Sequence, residues 1–442
     1  MTFIPIATQH QGGWGIFYSL CKIPLNLPLR KGDLIESIFY TPLWYPRGGM
    51  RVIKKVAMKT IYFDNAATSW PKPEETYAAM DRFGRVIGGS PGRSGHRLSI
   101  ESGRVIMNAR EVLARLFGID DPFQLVFTKN ATEALNLAIA GLLSPGDHVI
   151  TSSMEHNSVM RPLRALESKG VEVSVIRCSP RGELDPGDLM TAIKKNTKAV
   201  ILTHASNVTG TIMPVREVGN ITREHGLIFC VDSAQTAGVL PIDVSEMNLD
   251  LLAFSGHKSL FGPQGTGGLY IRKGLEKQIV PLMVGGTGSR SEHESQPDFM
   301  PDRYESGTLN TVGLAGLGSG AEYILKKGID NIRSREIMLT ERFLDGLQSI
   351  EGIRIYGLGD ASRHISVVSF NIDGLTPSEV SFALDEQFGI MSRPGLHCAP
   401  SAHRTIGTFP GGTVRFSFGS FNTEEEISYA LDALRQIRRK GQ

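Results

Sequence analysis

Long apolar runs, paired cysteines and an excess of one charge are all missing from this sequence of 442 residues. Because no run of about eighteen apolar residues occurs, we expect neither a transmembrane helix nor a membrane partner. The 47 Lys and Arg nearly balance the 45 Asp and Glu, which argues against a nucleic-acid binder that relies on basic patches. The cysteines at positions 21, 178, 230 and 398 lack CxxC spacing. That usage indicates a reducing, cytoplasmic compartment and no metal site.

The first 57 residues differ from the rest, because their only acids are Asp33 and Glu36. The apolar stretch Gly15–Leu20 is too short for the core of a secretory signal peptide, and no Lys or Arg precedes it. Because acids are few, a transit peptide is an alternative interpretation of this segment. We predict a poorly ordered N-terminal extension over residues 1–57.

From Ile61 onward, short apolar runs alternate with amphipathic stretches. This pattern favours an α/β fold with a mostly parallel sheet that is covered on both faces. The predicted strands are Leu125–Phe127, His148–Ile150, Val171–Ile176, Ala199–Leu202, Leu227–Val231 and Leu251–Phe254. We therefore predict a large domain over residues 58–320, whose first residues contribute to a second, smaller domain.

After about residue 320, a long predicted helix, Ile329–Ile350, is followed by three strands and two helices. This pattern is typical of a small α+β domain, which we place at residues 321–442. The glycines from Gly313 to Gly320 predict a hinge or, if they are helical, close packing against a neighbouring element.

An acid and a lysine follow two of the predicted strands. Asp232 ends the apolar run Leu227–Val231, and Lys258 lies just past the run Leu251–Phe254. If the two strands end side by side, the carboxylate and the amine point into one crevice. Pyridoxal 5'-phosphate (PLP) needs that arrangement, because it binds a lysine as a Schiff base and an acid contacts its pyridine nitrogen. Taken alone, both residues could also be ordinary exposed charges.

A phosphate site is predicted where a strand meets a helix at Thr128–Glu133. The helix start at Ala131 and Thr132 offers free N–H groups and a hydroxyl, which suit a phosphate dianion. An ordinary N-cap by Asn130 or Thr132 explains the same pattern. Ser255 and His257, close to Lys258, could donate to the same phosphate.

Three further polar residues follow predicted strands. His156 could stack on the pyridine ring and transfer protons, or only cap the next helix. Asn207 could contact the phenolic oxygen of the cofactor or a substrate carboxylate, or be a turn residue. Gln235 could contact the cofactor or only begin a helix.

Cys398 lies in the Gly- and Pro-containing stretch Arg393–Pro400, which predicts an accessible loop. Arg393 and His397 would favour its thiolate, which is the nucleophilic form. The alternative is an incidental cysteine. Arg415 is a charge inside an apolar predicted strand, where it is costly unless paired. Its guanidinium could hold a substrate carboxylate, or form an ion pair within the chain.

With these residues, the chain resembles the class V aminotransferase family, and within it the cysteine desulfurase branch, from about Ile61 to Ile437. The motifs that carry the resemblance are Tyr62–Thr68, Asn130–Glu133, Glu155–Asn157, Ser206–Gly210, Val231–Gln235, Ser255–Lys258, Tyr304–Thr308 and Arg393–Cys398. The resemblance implies the fold type I of PLP-dependent transferases, and a homodimer with active sites at the subunit interface.

The resemblance also implies a role for each residue that matches a family motif. Lys258 would be the Schiff-base lysine, Asp232 the pyridinium partner and His156 the stacking residue. The implied phosphate ligands are Ala131, Thr132, Ser255, His257 and, from the other subunit, Thr308. The implied contacts of the phenolic oxygen and substrate are Asn207, Gln235, Arg393 and Arg415. Cys398 would form a persulfide as L-cysteine becomes L-alanine, and a sulfur-acceptor protein would take the sulfur, for iron–sulfur or thio-cofactor assembly.

The sequence departs from the short-loop desulfurases at Leu396, where a second histidine is common, and over Ala402–Gly407. Within the family, the alternatives are an aminotransferase, a selenocysteine lyase and a cysteine-sulfinate lyase. A P-loop nucleotide-binding protein is a remote alternative prompted by Gly256–Ser259, but the required G-x-x-x-x-G-K-[ST] spacing is absent. A non-catalytic scaffold would have little reason to keep Lys258, Asp232 and Cys398 together.

Overall fold

The computed structural model describes residues 59–92 and 94–440, so the predicted extension over residues 1–57 lies outside the described residues. The strands are β1 (Ile61–Tyr62), β2 (Leu125–Thr128), β3 (His148–Ser152), β4 (Glu172–Ile176), β5 (Thr197–Thr203), β6 (Ile228–Asp232), β7 (Leu251–Ser255), β8 (Gly267–Ile271), β9 (Ile353–Tyr356), β10 (Val367–Ile372), β11 (Ile390–Met391), β12 (Arg393–Gly395) and β13 (Thr413–Ser417). The α-helices are α1 (Glu74–Arg82), α2 (Arg97–Leu116), α3 (Ala131–Leu142), α4 (Asn157–Glu167), α5 (Pro186–Ala192), α6 (Val215–Glu224), α7 (Thr311–Lys327), α8 (Ile329–Gln348), α9 (Pro377–Phe388), α10 (Pro400–Thr405) and α11 (Glu424–Lys440).

A seven-stranded sheet in the order β2-β8-β7-β6-β5-β3-β4 forms the centre. The pairs from β7 to β4 are parallel, whereas β8 runs antiparallel to both of its neighbours. Alternate residues face opposite sides, so Ile150 and Val200 join one hydrophobic core while Val149 and Ala199 join another. The predicted mostly parallel sheet with two covered faces is therefore present.

Strand β8 was missed by the sequence reasoning because it begins with two glycines, which weaken the apolar pattern of a strand. The structure supplies the reason for Gly268. A Cβ atom there would meet the ring of Phe254 on β7, which packs directly over the glycine. Packing against the neighbouring strand, rather than strand propensity, selects this residue.

The glycine-rich stretch between Gly313 and Gly320 is helical and forms the first half of α7. It is thus not the predicted hinge but the stated alternative, a closely packed helix. A Cβ on Gly318 would lie 3.0 Å from the Cα of Ala109 on α2, and one on Gly320 would collide with the carbonyl oxygen of Leu260. Small residues let these backbones approach each other.

A second, antiparallel sheet has the order β12-β13-β10-β9. Its core includes Phe343 from α8, Phe370 and Phe416 from the sheet, and Phe63, which directly follows β1. The rings of Phe63 and Phe416 lie 5.1 Å apart. The first described residues therefore pack with residues from the C-terminal third of the chain. The domain boundary between residues 320 and 321 stays a prediction.

A buried ion pair joins Arg110 on α2 to Glu305. The Nη2 of Arg110 lies 3.0 and 2.8 Å from the two carboxylate oxygens, and the amide of Phe127 donates to Glu305 Oε1 at 2.6 Å. Glu305→Gln leaves the arginine charge without its partner, so we expect the free energy of unfolding to fall by about 3–5 kcal/mol. Urea denaturation of the PLP-free protein measures this loss.

The matched control is Glu167→Gln, which breaks the exposed pair with Arg164 on α4. Solvent screens such a pair, so the expected loss is below about 1 kcal/mol. If both variants lost the same small amount, burial would not be the source of the stability of the Arg110–Glu305 pair.

Candidate active site

The carboxyl ends of the central strands meet at one edge of the sheet. Neighbouring strands β5, β6 and β7 lead to Asn207, Asp232 and Lys258, respectively. On the other side of β5, strand β3 leads to His156. Parallel order thus gathers residues that are up to about a hundred positions apart in sequence, as the strand-end argument predicts.

Lys258 and Asp232 influence each other's charge. Burial lowers the pKa of Lys258 from 10.5 to about 8, while the carboxylate of Asp232 opposes that shift. Burial also raises the pKa of Asp232, while the amide of Ala234, which donates to Oδ1 at 2.9 Å, and the lysine charge lower it. Much of the amine is therefore neutral near pH 8, the form that condenses with an aldehyde. A buried acid with a single amide donor fits a protonated pyridine nitrogen as its counter-charge.

The N-terminus of α3 carries the predicted phosphate site. Asn130 is the N-cap, since its side chain accepts from the amide of Glu133 at 2.9 Å. The ordinary N-cap by Asn130, one of the two explanations of this pattern, is therefore present. The amide of Ala131 donates to Ser255 Oγ at 3.1 Å, which places the end of β7 against the start of the helix. A helix N-terminus with an adjacent buried hydroxyl suits an anion.

His257 has an unused polar atom in this region. Its Nδ1 is buried and has no partner among the described residues. Burial lowers the pKa of His257 to about 4, and the charges of Lys258 and Lys72 add to this effect. The ring is therefore neutral near pH 7 and has one nitrogen available to a ligand. Together with the hydroxyl of Ser255 and the amide of Thr132 in the first turn of α3, this nitrogen fits the phosphate of PLP.

His156 caps α4, one of the two roles that the sequence left open. Its Nδ1 accepts from the amide of Ser158 at 3.1 Å. Burial lowers the pKa of His156 to about 3, with further lowering by the charges of Lys258 and Arg393. The ring is therefore neutral, with its proton on Nε2. The hydroxyls of Thr132 and Ser158 lie 2.7 Å apart, so the starts of α3 and α4 are in contact. Stacking on PLP stays a prediction.

Asn207 and Gln235 both bond to backbone carbonyls at this edge. Asn207 Nδ2 donates to the carbonyl of His397 at 2.6 Å, so it anchors the loop that carries Cys398. Gln235 Nε2 donates to the carbonyl of Ala66 at 3.1 Å. Asn207 is thus more than a turn residue, and the cofactor contacts of both residues stay predictions.

Arg415 forms the internal ion pair that the sequence left open. Its side chain is 1% exposed, and Nη2 lies 2.7 Å from Asp64 Oδ1. Nη1 donates to the carbonyl of Asn207 at 3.1 Å, and Nε is buried without a partner among the described residues. The guanidinium thus keeps one donor for a further acceptor. Asp64 belongs to the motif Tyr62–Thr68, but nothing in the sequence marks it as the partner of Arg415.

The segment around Cys398 begins as a strand, so its prediction as a loop throughout is wrong. Arg393 lies in β12 and pairs with Arg415 in β13. Antiparallel pairing with β13 overrides the Gly and Pro signals. Cys398 lies beyond β12 and is exposed, as predicted. Its Sγ lies 3.5 Å from Nη2 of Arg393.

His397 and Cys398 have left-handed backbone conformations, with φ of 47° and 59°. Such conformations cost about 1–3 kcal/mol each and persist only where the surroundings impose them. The carbonyl of Cys398 accepts from the amide of Asn157 at 2.8 Å, which fixes the turn against the start of α4. The chain thus holds an exposed thiol in a strained and defined position.

The side chain of His397 is not the cation expected from the sequence. Thr413 donates to Ser369 at 3.0 Å, so it accepts from His397 Nε2 at 3.1 Å. Burial lowers the pKa of His397 well below 6.5, and the charges of Arg415 and Arg393 lower it further. The ring is neutral, so the positive charge in contact with Cys398 comes from Arg393, whose Nη2 lies 3.5 Å from Sγ.

Thr308 is not hydrogen-bonded to this group of residues. It is exposed and lines a cavity together with Lys129 and Asn310. Its contribution to the site of another subunit stays a prediction. Across residues 59–92 and 94–440, no group of three or more His, Cys, Asp or Glu is arranged to hold a metal ion. Over the same residues, no helix has the length and apolar character needed to cross a bilayer.

The family model described as "Aminotransferase class-V" matches residues 61–430. The chain belongs to the class V aminotransferase family. PLP is the cofactor of this family, so the cofactor predicted from the sequence is confirmed.

Relatives of this class V aminotransferase are named cysteine desulfurases. A probable cysteine desulfurase of Methanothermobacter thermautotrophicus is 36% identical over 385 residues, covering 86% of this chain and 95% of the relative. Another, from Pyrococcus abyssi, is 38% identical over 393 residues, with the same two coverages. The cysteine desulfurase branch that the sequence motifs resemble is therefore confirmed.

Solved structures give the same result. The apo structure of the cysteine desulfurase from Thermococcus onnurineus NA1 superposes with a TM-score of 0.81 at 36% identity, covering 86% of this chain and 95% of that chain. Cysteine desulfurase CsdA from Escherichia coli superposes with a TM-score of 0.77 at 27% identity, with the same coverages. The predicted fold type I of PLP-dependent enzymes is confirmed.

Proposed function

We propose that this class V aminotransferase is a PLP-dependent cysteine desulfurase that converts L-cysteine to L-alanine and holds the sulfur as a persulfide on Cys398. The observation that carries the proposal is the placement of an exposed, conformationally strained cysteine beside Arg393, in a loop anchored to Asn157 and Asn207. An aminotransferase reaction has no use for such a thiol. The names of the relatives support the same activity.

Lys258, Asp232, Ser255, His257 and the α3 N-terminus would hold the cofactor. When bound, PLP supplies an electron sink that lets an amino acid lose its Cα proton. With its pKa lowered to about 8, the amine of Lys258 can take up that proton as a base near neutral pH. Asp232 would keep the ring nitrogen protonated, which maintains the electron-withdrawing form.

Arg415 and Arg393 are the candidates for holding the substrate carboxylate. Arg415 Nε is buried and has no partner among the described residues, while Asp64 balances the rest of its charge. Arg393 is the cross-strand neighbour of Arg415 and also approaches Cys398 Sγ. A carboxylate bound here would place the thiol of the substrate close to Cys398.

Cys398 would act as the nucleophile for sulfur. Its thiolate attacks the sulfur of the substrate, an S–S bond forms, and the bond between that sulfur and the substrate Cβ breaks. The electron pair of the broken bond stays with the carbon skeleton, which takes up protons and leaves as alanine. One cysteine and one enzyme thiol thus give one alanine and one enzyme persulfide, without an external oxidant.

The partners and location belong to the same proposal. A persulfide on an exposed residue can pass its outer sulfur to the thiol of an acceptor protein, for iron–sulfur or thio-cofactor assembly. We further propose a homodimer in which Thr308, exposed in this chain, serves the site of the other subunit. The unpaired thiols of Cys178, Cys230 and Cys398 support a reducing, cytoplasmic location.

The test is a product assay with L-cysteine and the PLP-loaded protein. Alanine and sulfide should form in equal amounts when a small thiol removes the persulfide. An aminotransferase would instead deaminate its substrates and would give no alanine from cysteine, which would contradict the proposal. Parallel assays with selenocysteine and cysteine sulfinate compare the two related lyase activities directly.

A further inference from the structure

The carbonyl oxygen of His257, directly before Lys258, is contacted by an unusual number of donors. Thr68 Oγ1 lies at 3.0 Å, the amide of Ser69 at 3.1 Å, Ser69 Oγ at 3.3 Å and Lys72 Nζ at 3.2 Å. The Ser69 hydroxyl has a single proton, and its contact with the Lys258 carbonyl is the shorter one at 2.9 Å. The other three donors still exceed the two lone pairs of the His257 carbonyl oxygen. The position of this peptide is therefore strongly determined.

The same segment also holds the peptide that follows Lys258. Ser69 Oγ lies 2.9 Å from the carbonyl oxygen of Lys258. The two carbonyls on either side of the lysine Cα are thus both bonded to residues between Thr68 and Lys72. Since the amine of Lys258 is at the end of a flexible side chain, a fixed backbone narrows the positions that it can occupy.

Lys72 is the charged member of this segment, and its ammonium group contacts only neutral acceptors. Besides the His257 carbonyl, Nζ bonds the carbonyl and hydroxyl of Ser69 at 3.2 and 2.9 Å. Among the described residues, no carboxylate lies within ion-pair distance of Nζ. Burial lowers the pKa of Lys72 to about 8, which reflects the cost of this unpaired charge. A phosphate dianion held by His257 and Ser255 would be the nearby counter-charge.

We propose that Lys72 is a positioning residue for PLP, which fixes the peptide between His257 and Lys258 and places a positive charge behind the phosphate-binding residues. The inference rests on the proposed roles of Lys258 and His257. It gives a function to a residue outside the strand-end group, in the turn between Tyr62 and α1.

The test compares the affinity of PLP for Lys72→Met, Lys72→Arg and a matched control, Lys198→Met. Lys198 is also half-buried and donates to a backbone carbonyl, that of Leu142, but it lies near the start of β5 at the opposite edge of the sheet. Absorbance titration of the PLP-free protein should show the Kd for PLP rising about tenfold or more in Lys72→Met. We expect recovery to within about threefold of the wild-type Kd in Lys72→Arg, and no change in Lys198→Met.

A second variant and a second measurement keep the outcome decisive even if Lys72→Met does not fold. Thr68→Val removes one donor to the same carbonyl, so its Kd for PLP should rise about threefold. In either variant, kcat for cysteine should fall while KM stays within about twofold, because these residues do not contact Arg415. Wild-type PLP affinity in Lys72→Met, or in Thr68→Val where the former is unfolded, overturns the inference.

Borohydride trapping in the wild-type protein separates this inference from the proposed function. If reduced PLP is attached to another residue, the role of Lys258 fails and the inference falls with it. If PLP is attached to Lys258 and the Lys72 variants bind it as the wild type does, only the positioning role of Lys72 is wrong.

Discussion

Replacement of Lys258 by alanine is expected to abolish the visible absorption of the PLP-loaded protein and to reduce alanine formation by at least about 1,000-fold. The variant loses both the amine that binds the cofactor and the base that accepts the Cα proton. Neighbouring Lys72 cannot take over, because its Nζ is engaged by Ser69 and the His257 carbonyl. Absorbance spectra and a single-turnover assay measure the two losses separately.

The pH dependence of PLP uptake adds a second readout for Lys258. Only the neutral amine attacks an aldehyde, and burial lowers the pKa of Lys258 to about 8. Protonation increases below that pH, so the rate of PLP uptake by the PLP-free protein should fall about tenfold per pH unit there and level off above it. An amine with an ordinary pKa of 10.5 would show the same slope up to much higher pH.

Lys198→Ala is the control for Lys258→Ala, since it removes a half-buried lysine at the far edge of the sheet. It should keep the visible absorption band, although the loss of the pair with Asp147 reduces stability. A visible band that survived in Lys258→Ala would show that the Schiff base forms elsewhere, and would remove the residue on which the proposed function depends.

Residues at strand ends could be predicted from the sequence, because strong apolar runs mark the strands and parallel order brings their ends together. Asp232 and Lys258 were identified on this basis alone. The partner of Arg415 was not, because Asp64 reaches β13 through a bridge to Ser417, more than 350 residues away along the chain. No periodicity in the sequence reports such a contact.

Burial, strand pairing and contacts between distant residues explain the other differences between prediction and structure. His397 was expected to be a cation beside Cys398, but a residue that packs against Thr413 in the interior is neutral. Arg393 was placed in a loop, whereas its pairing with β13 makes a short strand. Lys72 resembles an ordinary surface lysine in the sequence, and only the contacts with His257 and Ser69 distinguish it.

Cys398→Ser is expected to retain PLP and its visible absorption while alanine formation from cysteine falls by at least about 1,000-fold. A serine hydroxyl stays protonated near neutral pH and cannot attack the substrate sulfur, but it preserves the size of the side chain. The loop should remain in place, because Asn207 and Asn157 hold the carbonyls of His397 and Cys398 rather than the thiol.

Cys178→Ala provides the matched control for the nucleophile. Burial raises the pKa of Cys178 to about 11, so this thiol is neither exposed nor ionised, and its loss should leave the rate of desulfuration unchanged. In wild-type protein treated with cysteine and then alkylated, peptide mass mapping should find one additional sulfur atom on the peptide that contains Cys398. Alanine formation at the wild-type rate in Cys398→Ser, or additional sulfur on Cys178 or Cys230 instead, would mean that the strained turn at Cys398 serves some purpose other than sulfur transfer.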